Sequence, residues 1–253
     1  MQVIERKTLS ALSKEFTPHF HDETMIAYVQ TGTGTAAVDN SAYRIGPGSL
    51  VVVPSGIVHS CNPDDLSEWS YSAIFIDPEE SDACILSDVH VVRSESPPDR
   101  LLSGDVGSIV SWVAGQVEAG TRILSSDHGL VGAGVSAGVP VGGDDPRTRA
   151  ARWLKDHTDS SVSLEELADA GGMSPYELAR QFRSAYGLPP HAYHLNVRVN
   201  VAKVLLRQGE SPADTAFLTG FCDQSHFHRV FVRHVGLTPG RYRHMVSKGA
   251  LAE

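Results

Sequence analysis

Gly220-Phe221-Cys222-Asp223-Gln224-Ser225-His226-Phe227-His228-Arg229-Val230-Phe231, followed by Gly236-Leu237-Thr238-Pro239, is the stretch on which the reading of this chain turns. Forty-nine residues upstream much of it is already present: Gly171 meets Gly220, Leu178 meets Phe227, Arg180 meets Arg229 and Phe182 meets Phe231. Gly187-Leu188-x-Pro190 then meets Gly236-Leu237-x-Pro239, and Tyr193 meets Tyr242. Self-similarity at a fixed offset marks a repeated structural unit. Each copy reads as a short helix, a Gly-containing turn and a longer helix closed by Gly-Leu-x-Pro, which is the layout of a helix-turn-helix. The two units span 163–187 and 211–236.

Helical spacing separates the faces of the longer helices. Leu178 and Phe182 are four residues apart and share one face, as do Phe227 and Phe231, so these pairs are read as core. Tyr176, Arg180 and Arg183 fall on the opposite face of the first copy, and Gln224, Ser225, His228 and Arg229 on that of the second. Arg pairs bidentately with guanine and Gln with adenine in the major groove, so these seven are the candidate DNA-binding residues. A plain helical bundle would need the packing residues but has no use for an outward Arg kept in both copies.

Residues 147–245 resemble the DNA-binding domain of the AraC/XylS family. Leu164-Glu165-Glu166-Leu167-Ala168-Asp169-Ala170-Gly171-Gly172-Met173-Ser174 is similar to the family's first turn, and the stretch from Gly220 to Pro239 to its signature. Arg198, Ala202, Leu205 and Leu206 fit the long helix joining the two units. The resemblance implies that the seven outward residues lie on recognition helices. Three positions depart from the family pattern: Thr215 stands where Ile or another apolar residue is usual, Ala179 is too short to reach a base, and Val232 replaces a common basic residue.

Charge supports the division of labour. Of the chain's 253 residues, 1–145 hold 7 Lys+Arg against 20 Asp+Glu, a net of −13. Residues 146–253 hold 14 against 10, a net of +4, so only this half suits a phosphate backbone. Gly142-Gly143-Asp144-Asp145-Pro146 reads as the linker. Upstream, Met25–Val29, Thr35–Val38, Leu50–Val53 and Tyr71–Ile76 read as short strands between turns such as Asp39-Asn40 and Gly46-Pro47-Gly48. From Pro98 the period becomes helical: Val106, Val113 and Val117 define an apolar face with Trp112 beside it, and Arg122–Val135 a weaker helix interrupted by glycine. The expected fold class is therefore two domains: an all-β barrel (1–97), cupin-like by the histidine motifs it carries, and an all-α double helix-turn-helix domain (146–253). The helical segment and Gly-rich linker between them (98–145) are assigned to dimerisation.

His19-x-His21 and, downstream, Gly48-(five residues)-Pro54-Ser55-Gly56-(two)-His59 resemble the two cupin motifs. Alternation along a strand points His19, His21 and Glu23 to one side. The preferred reading is that His19, His21, Glu23 and His59, with Tyr28, Trp69 and Tyr71 as aromatic walls, line a pocket for a small organic effector. No cofactor is expected. A divalent metal (Fe, Mn, Ni or Zn) on His19, His21 and His59 is the alternative, and it is weakened because Met25 and Ile26 stand where metal cupins carry a carboxylate.

The three cysteines are unpatterned and no apolar run reaches 18 residues, so a cytoplasmic protein without disulfides or membrane spans is expected. The whole reads as a sequence-specific transcription regulator whose partners are double-stranded DNA, a small effector, a second copy of itself and RNA polymerase. The rival is a cupin-type metalloenzyme, an isomerase or dioxygenase, with an accessory DNA-binding domain.

Overall fold

The computed structural model describes residues 3–39, 41–77, 86–94, 103–119, 121–122 and 145–249. The chain divides into two compact units, Met1–Glu15 with Phe20–Gly132, and Phe16–His19 with Ala133–Glu253.

The first unit is a cupin-like assembly of two antiparallel sheets. Six strands are ordered β1-β7-β2-β5-β8-β9 and three are ordered β4-β3-β6. The strands are β1 (Val3–Ser10), β2 (Thr24–Thr31), β3 (Gly34–Val38), β4 (Ser41–Ile45), β5 (Ser49–Val53), β6 (His59–Pro63), β7 (Ser70–Ile76), β8 (His90–Arg93) and β9 (Thr121–Arg122). The four apolar runs read from sequence lie inside β2, β3, β5 and β7. Asp39, at the expected Asp39-Asn40 turn, has φ +53°, and Gly48 has φ +85°. β1 buries charge on its inner face: Glu5, Lys7 and Leu9 are buried while Arg6, Thr8 and Ser10 are exposed.

Helix α1 (Val106–Ala119) packs on this unit's own sheet. Val106, Ile109 and Val113 join Ile26, Tyr28, Leu50, Val52, Ile74, Ile76, Leu86 and Val92 in one apolar core, with Val110, Trp112 and Val117 packed at its margin. Much of the face assigned to dimerisation, Val106 and Val113 above all, packs on the sheet, because an amphipathic stripe this apolar buries itself against the nearest apolar surface. One expectation is corrected here. Arg122, read as the start of a second helix, is instead in the short strand beside β8, where Val92 faces Arg122. The rest of that helix assignment, and the linker before Asp145, lie outside the described residues.

The second unit contains seven described helices: α2 (Pro146–Asp156), α3 (Leu164–Gly171), α4 (Pro175–Tyr186), α5 (Pro190–Arg207), α6 (Pro212–Leu218), α7 (Gln224–Val235) and α8 (Pro239–Gly249). Five of them start at side chains that satisfy the first free N–H groups, whereas α5, preceded by Pro189, has no side-chain cap. Asp145 caps α2, with Pro146 in the first turn. Ser163 and Glu166 form a reciprocal capping box on α3. Ser174, Ser211 and Asp223 cap α4, α6 and α7. Gly187 and Gly236 end α4 and α7 in the left-handed conformation that a side chain resists. The two short turns differ by a residue. Gly172, with φ +70°, makes the first, while Gly220, with φ +66°, makes the second, although the repeat pairs Gly220 with Gly171.

Candidate nucleic-acid interface and sensor interior

Aromatic clusters hold the two longer helices in place. On α4, Leu178 and Phe182 are fully buried. The Phe182 ring lies 4.6 Å from Tyr186 and 5.2 Å from Tyr193 of α5. On α7, Phe227 and Phe231 are equally buried, and their rings lie 5.1 Å from Phe221 and 5.5 Å from Tyr242 respectively. Each helix thus has its apolar side locked, which leaves the opposite side to solvent.

Tyr176, Arg180 and Arg183 are exposed on α4, and Gln224, Ser225, His228 and Arg229 are exposed on α7. Tyr176 is 79% exposed, far more than packing alone would leave an aromatic ring. Ala179 is half-buried, as its small side chain allows. Val232 is buried at 7% exposure, whereas Arg183, its repeat partner, is exposed. The basic residue missing at 232 is thus missing from a packed position. Arg233, one residue on and not singled out by the repeat, is exposed. Asp223, at the N-terminus of α7, is held below the usual carboxylate range mainly by the His226 N–H and the Cys222 thiol that donate to it. Two helices presenting Arg, Gln and Tyr from rigid supports can hydrogen-bond base edges and phosphates.

In the first unit the histidines read from sequence are buried. His21 lies 5.0 Å, ring to ring, from His59 and 4.9 Å from Phe75. His59 Nδ1 lies 2.9 Å from the Ile57 carbonyl, which can only accept, so the N–H is at Nδ1 and Nε2 presents a lone pair. Burial pushes His59 down to about 4, which keeps the ring neutral. Glu23 is buried, and Trp69 and Tyr71 lie 6.3 Å apart. Trp69 is 2% exposed, and its indole N–H meets no acceptor among the described residues. His19, counted with the second unit, is buried and donates from Nδ1 to the Thr17 carbonyl at 2.7 Å.

Tyr28 is displaced from the expected pocket. It sits in the core under α1, one residue out of phase with the sheet face that carries Tyr71 and Phe75.

Sequence reasoning missed Glu5 and Lys7. The Lys7 ammonium lies 3.9 Å from the Glu5 carboxylate and 4.7 Å from the centre of the Phe75 ring. No alternation marks them, because Glu5-Arg6-Lys7-Thr8 is polar at every position.

Comparison with known proteins gives two family matches: an AraC-like ligand binding domain over residues 3–128 and a helix-turn-helix domain over residues 167–245. The chain is similar to the uncharacterized HTH-type transcriptional regulator YbfI of Bacillus subtilis, with 28% identity covering 88% of this chain and 85% of that protein. It is similar to the HTH-type transcriptional activator RhaS of Klebsiella pneumoniae, with 27% identity covering 88% and 86%. Its fold resembles the crystal structure of ToxT from Vibrio cholerae, with a TM-score of 0.59 at 13% identity over 97% of this chain and 98% of that one.

Proposed function

The chain belongs to the AraC family of transcriptional regulators, with a ligand-binding domain ahead of a helix-turn-helix domain, and on that premise we propose that one protomer reads two successive major grooves, about 10 bp apart, on one face of the duplex. Tyr176, Arg180 and Arg183 enter one groove; Gln224, Ser225, His228 and Arg229 enter the next. The observation that carries this reading is the exposure of all seven on helices whose opposite faces are locked by aromatic packing.

The test is a base-by-base affinity scan of an operator selected with the full chain. Arg180→Ala and Arg229→Ala are each expected to cost ~1–3 kcal/mol and to relax specificity at separate base pairs, while Arg183→Ala weakens all sequences alike and lowers the salt slope by about one unit. Overlapping footprints for Arg180→Ala and Arg229→Ala would refute the two-groove reading.

The interior of the first unit is the proposed seat of a small organic effector. The Trp69 N–H donor, the His59 Nε2 acceptor, His21, the Tyr71 ring and the Glu5–Lys7 pair support this, since a buried ion pair adds little stability in itself. Glu23 remains a candidate; Tyr28 does not. This reading needs no metal, although the neutral His59 tautomer also suits ligation. Elemental analysis separates the two: stoichiometric transition metal lost in His21→Ala and His59→Ala would replace the organic effector with an ion.

The metalloenzyme alternative falls with the comparisons, because the relatives matched along most of the chain are named as transcriptional regulators. Homodimerisation, contact with RNA polymerase and a cytoplasmic location complete the proposal. No surface is assigned to the first two, since the face read for dimerisation is turned onto its own sheet.

A further inference from the structure

We infer that Arg198 is a positioning residue that sets the distance between the two recognition helices, by tying the chain that enters the first helix-turn-helix to the turn that enters the second recognition helix. The inference rests on the two-groove reading above and adds what holds the grooves' readers in register.

Arg198 lies at the middle of α5 and is 6% exposed. One guanidinium nitrogen donates to the Gly220 carbonyl at 3.0 Å, and the other to the Ser160 carbonyl. These carbonyls belong to different segments. Ser160 lies three residues before Ser163, the cap of α3, and Gly220 lies three before Asp223, the cap of α7. The segments touch directly: a Cβ on Gly220 would come within 2.5 Å of the Asp159 carbonyl carbon and 3.0 Å of the Ser160 nitrogen. Two carbonyl dipoles brought this close need a donor between them. A planar guanidinium fork supplies two parallel N–H groups at fixed spacing, which an ammonium cannot. One turn earlier on α5, His194 donates from Nε2 to the His157 carbonyl at 2.8 Å, holding the same segment at a second point. The Arg198 guanidinium also lies 5.9 Å from the Phe221 ring, which is part of the α7 core. The long helix is therefore more than a spacer. Through one side chain it fixes where α7 begins relative to where α3 begins.

The consequence concerns operator spacing. With the fork in place, the full chain tolerates one distance between its two DNA boxes. Without it, each helix-turn-helix keeps its own aromatic core and its own box, but the distance between them relaxes. The experiment uses the full-length chain, an operator selected in vitro, derivatives with one base pair inserted or removed between the boxes, and a derivative with the second box scrambled. Arg198→Met keeps the stem in its buried slot and removes the fork; Arg198→Lys keeps the charge but gathers its donors on one nitrogen, without the planar fork.

For the wild type, each spacing change is expected to weaken binding about tenfold. Arg198→Met is expected to bind the original spacing about tenfold more weakly, all three spacings within about threefold of one another, and the single-box DNA as the wild type does. Arg198→Lys should fall between them. Arg198→Met that folds and still discriminates between spacings like the wild type would overturn the positioning role, as would equal weakening on single-box DNA. Should Arg198→Met not fold, Arg198→Lys with wild-type discrimination overturns it. A wild-type protein indifferent to spacing, or to scrambling of the second box, would instead sink the two-groove reading itself.

Discussion

Thr215 is fully buried in α6, where the family resemblance leads one to expect an apolar residue, and its hydroxyl meets no partner among the described residues. A buried hydroxyl without a partner costs roughly 1–3 kcal/mol. Thr215→Val keeps the shape and removes that group, so thermal unfolding of the variant should have a higher midpoint, by a gain of ~1 kcal/mol. A lower midpoint would show that the hydroxyl is bonded in solution. The outward Arg and Gln residues were legible because periodicity alone assigns faces on a helix. Glu5 and Lys7 were not, since from Glu5 to Thr8 both faces of β1 are polar and only its neighbours decide which side is buried. Tyr28 was misread for a related reason: both faces of β2 are buried, so an aromatic residue there carries no sign of which core it belongs to.

Helix α1 shows the same limit one level up. Its apolar stripe was plain, but whether a stripe meets a sheet or a second copy depends on surfaces the stripe does not contain. Ile109→Ala should therefore lower stability by ~2–5 kcal/mol. The sedimentation mass should stay unchanged; a drop in mass at constant stability would restore the dimer reading. The second long element, α5, carries a pH response. Burial, with a smaller contribution from Arg198, depresses His194 to about 4, against the opposing pull of the His157 carbonyl; His191 and the His157 ring add slight repulsion. Its folded value lies below the unfolded one. The stabilisation is thus complete above about pH 6.5 and is lost as pH falls towards 4. Urea midpoints measured from pH 7 down to 4.5 should decline, and His194→Gln should decline less steeply. Equal slopes would place the loss on other groups, such as His234, which burial also lowers.

For the molecule as a whole, the two units were legible to different degrees. The helix-turn-helix repeat could be read nearly whole, because its packing, caps and turns are set by residues close in the chain. The fragment 145–253, which keeps the Asp145 cap, should accordingly fold and bind duplex DNA weakly, with affinity falling steeply as salt rises because phosphate contacts release counterions. Folded fragment without affinity at low salt would contradict the assignment. The first unit could be read only as a set of strands, because its order is made by distant partners. β1 runs against β7, with Val3 opposite Ile76 and Ser10 bonded to Ser70 across 60 residues of chain. Closing loops of that length comes before any contact repays it, so such pairings form slowly. On the ribosome the first strand must wait, unpaired, until residues 70–76 have left the exit tunnel. During that wait Glu5 and Lys7 face water, and this keeps an otherwise sticky edge soluble. The charges that end up inside thus also guard the nascent chain against pairing too early with the wrong neighbour.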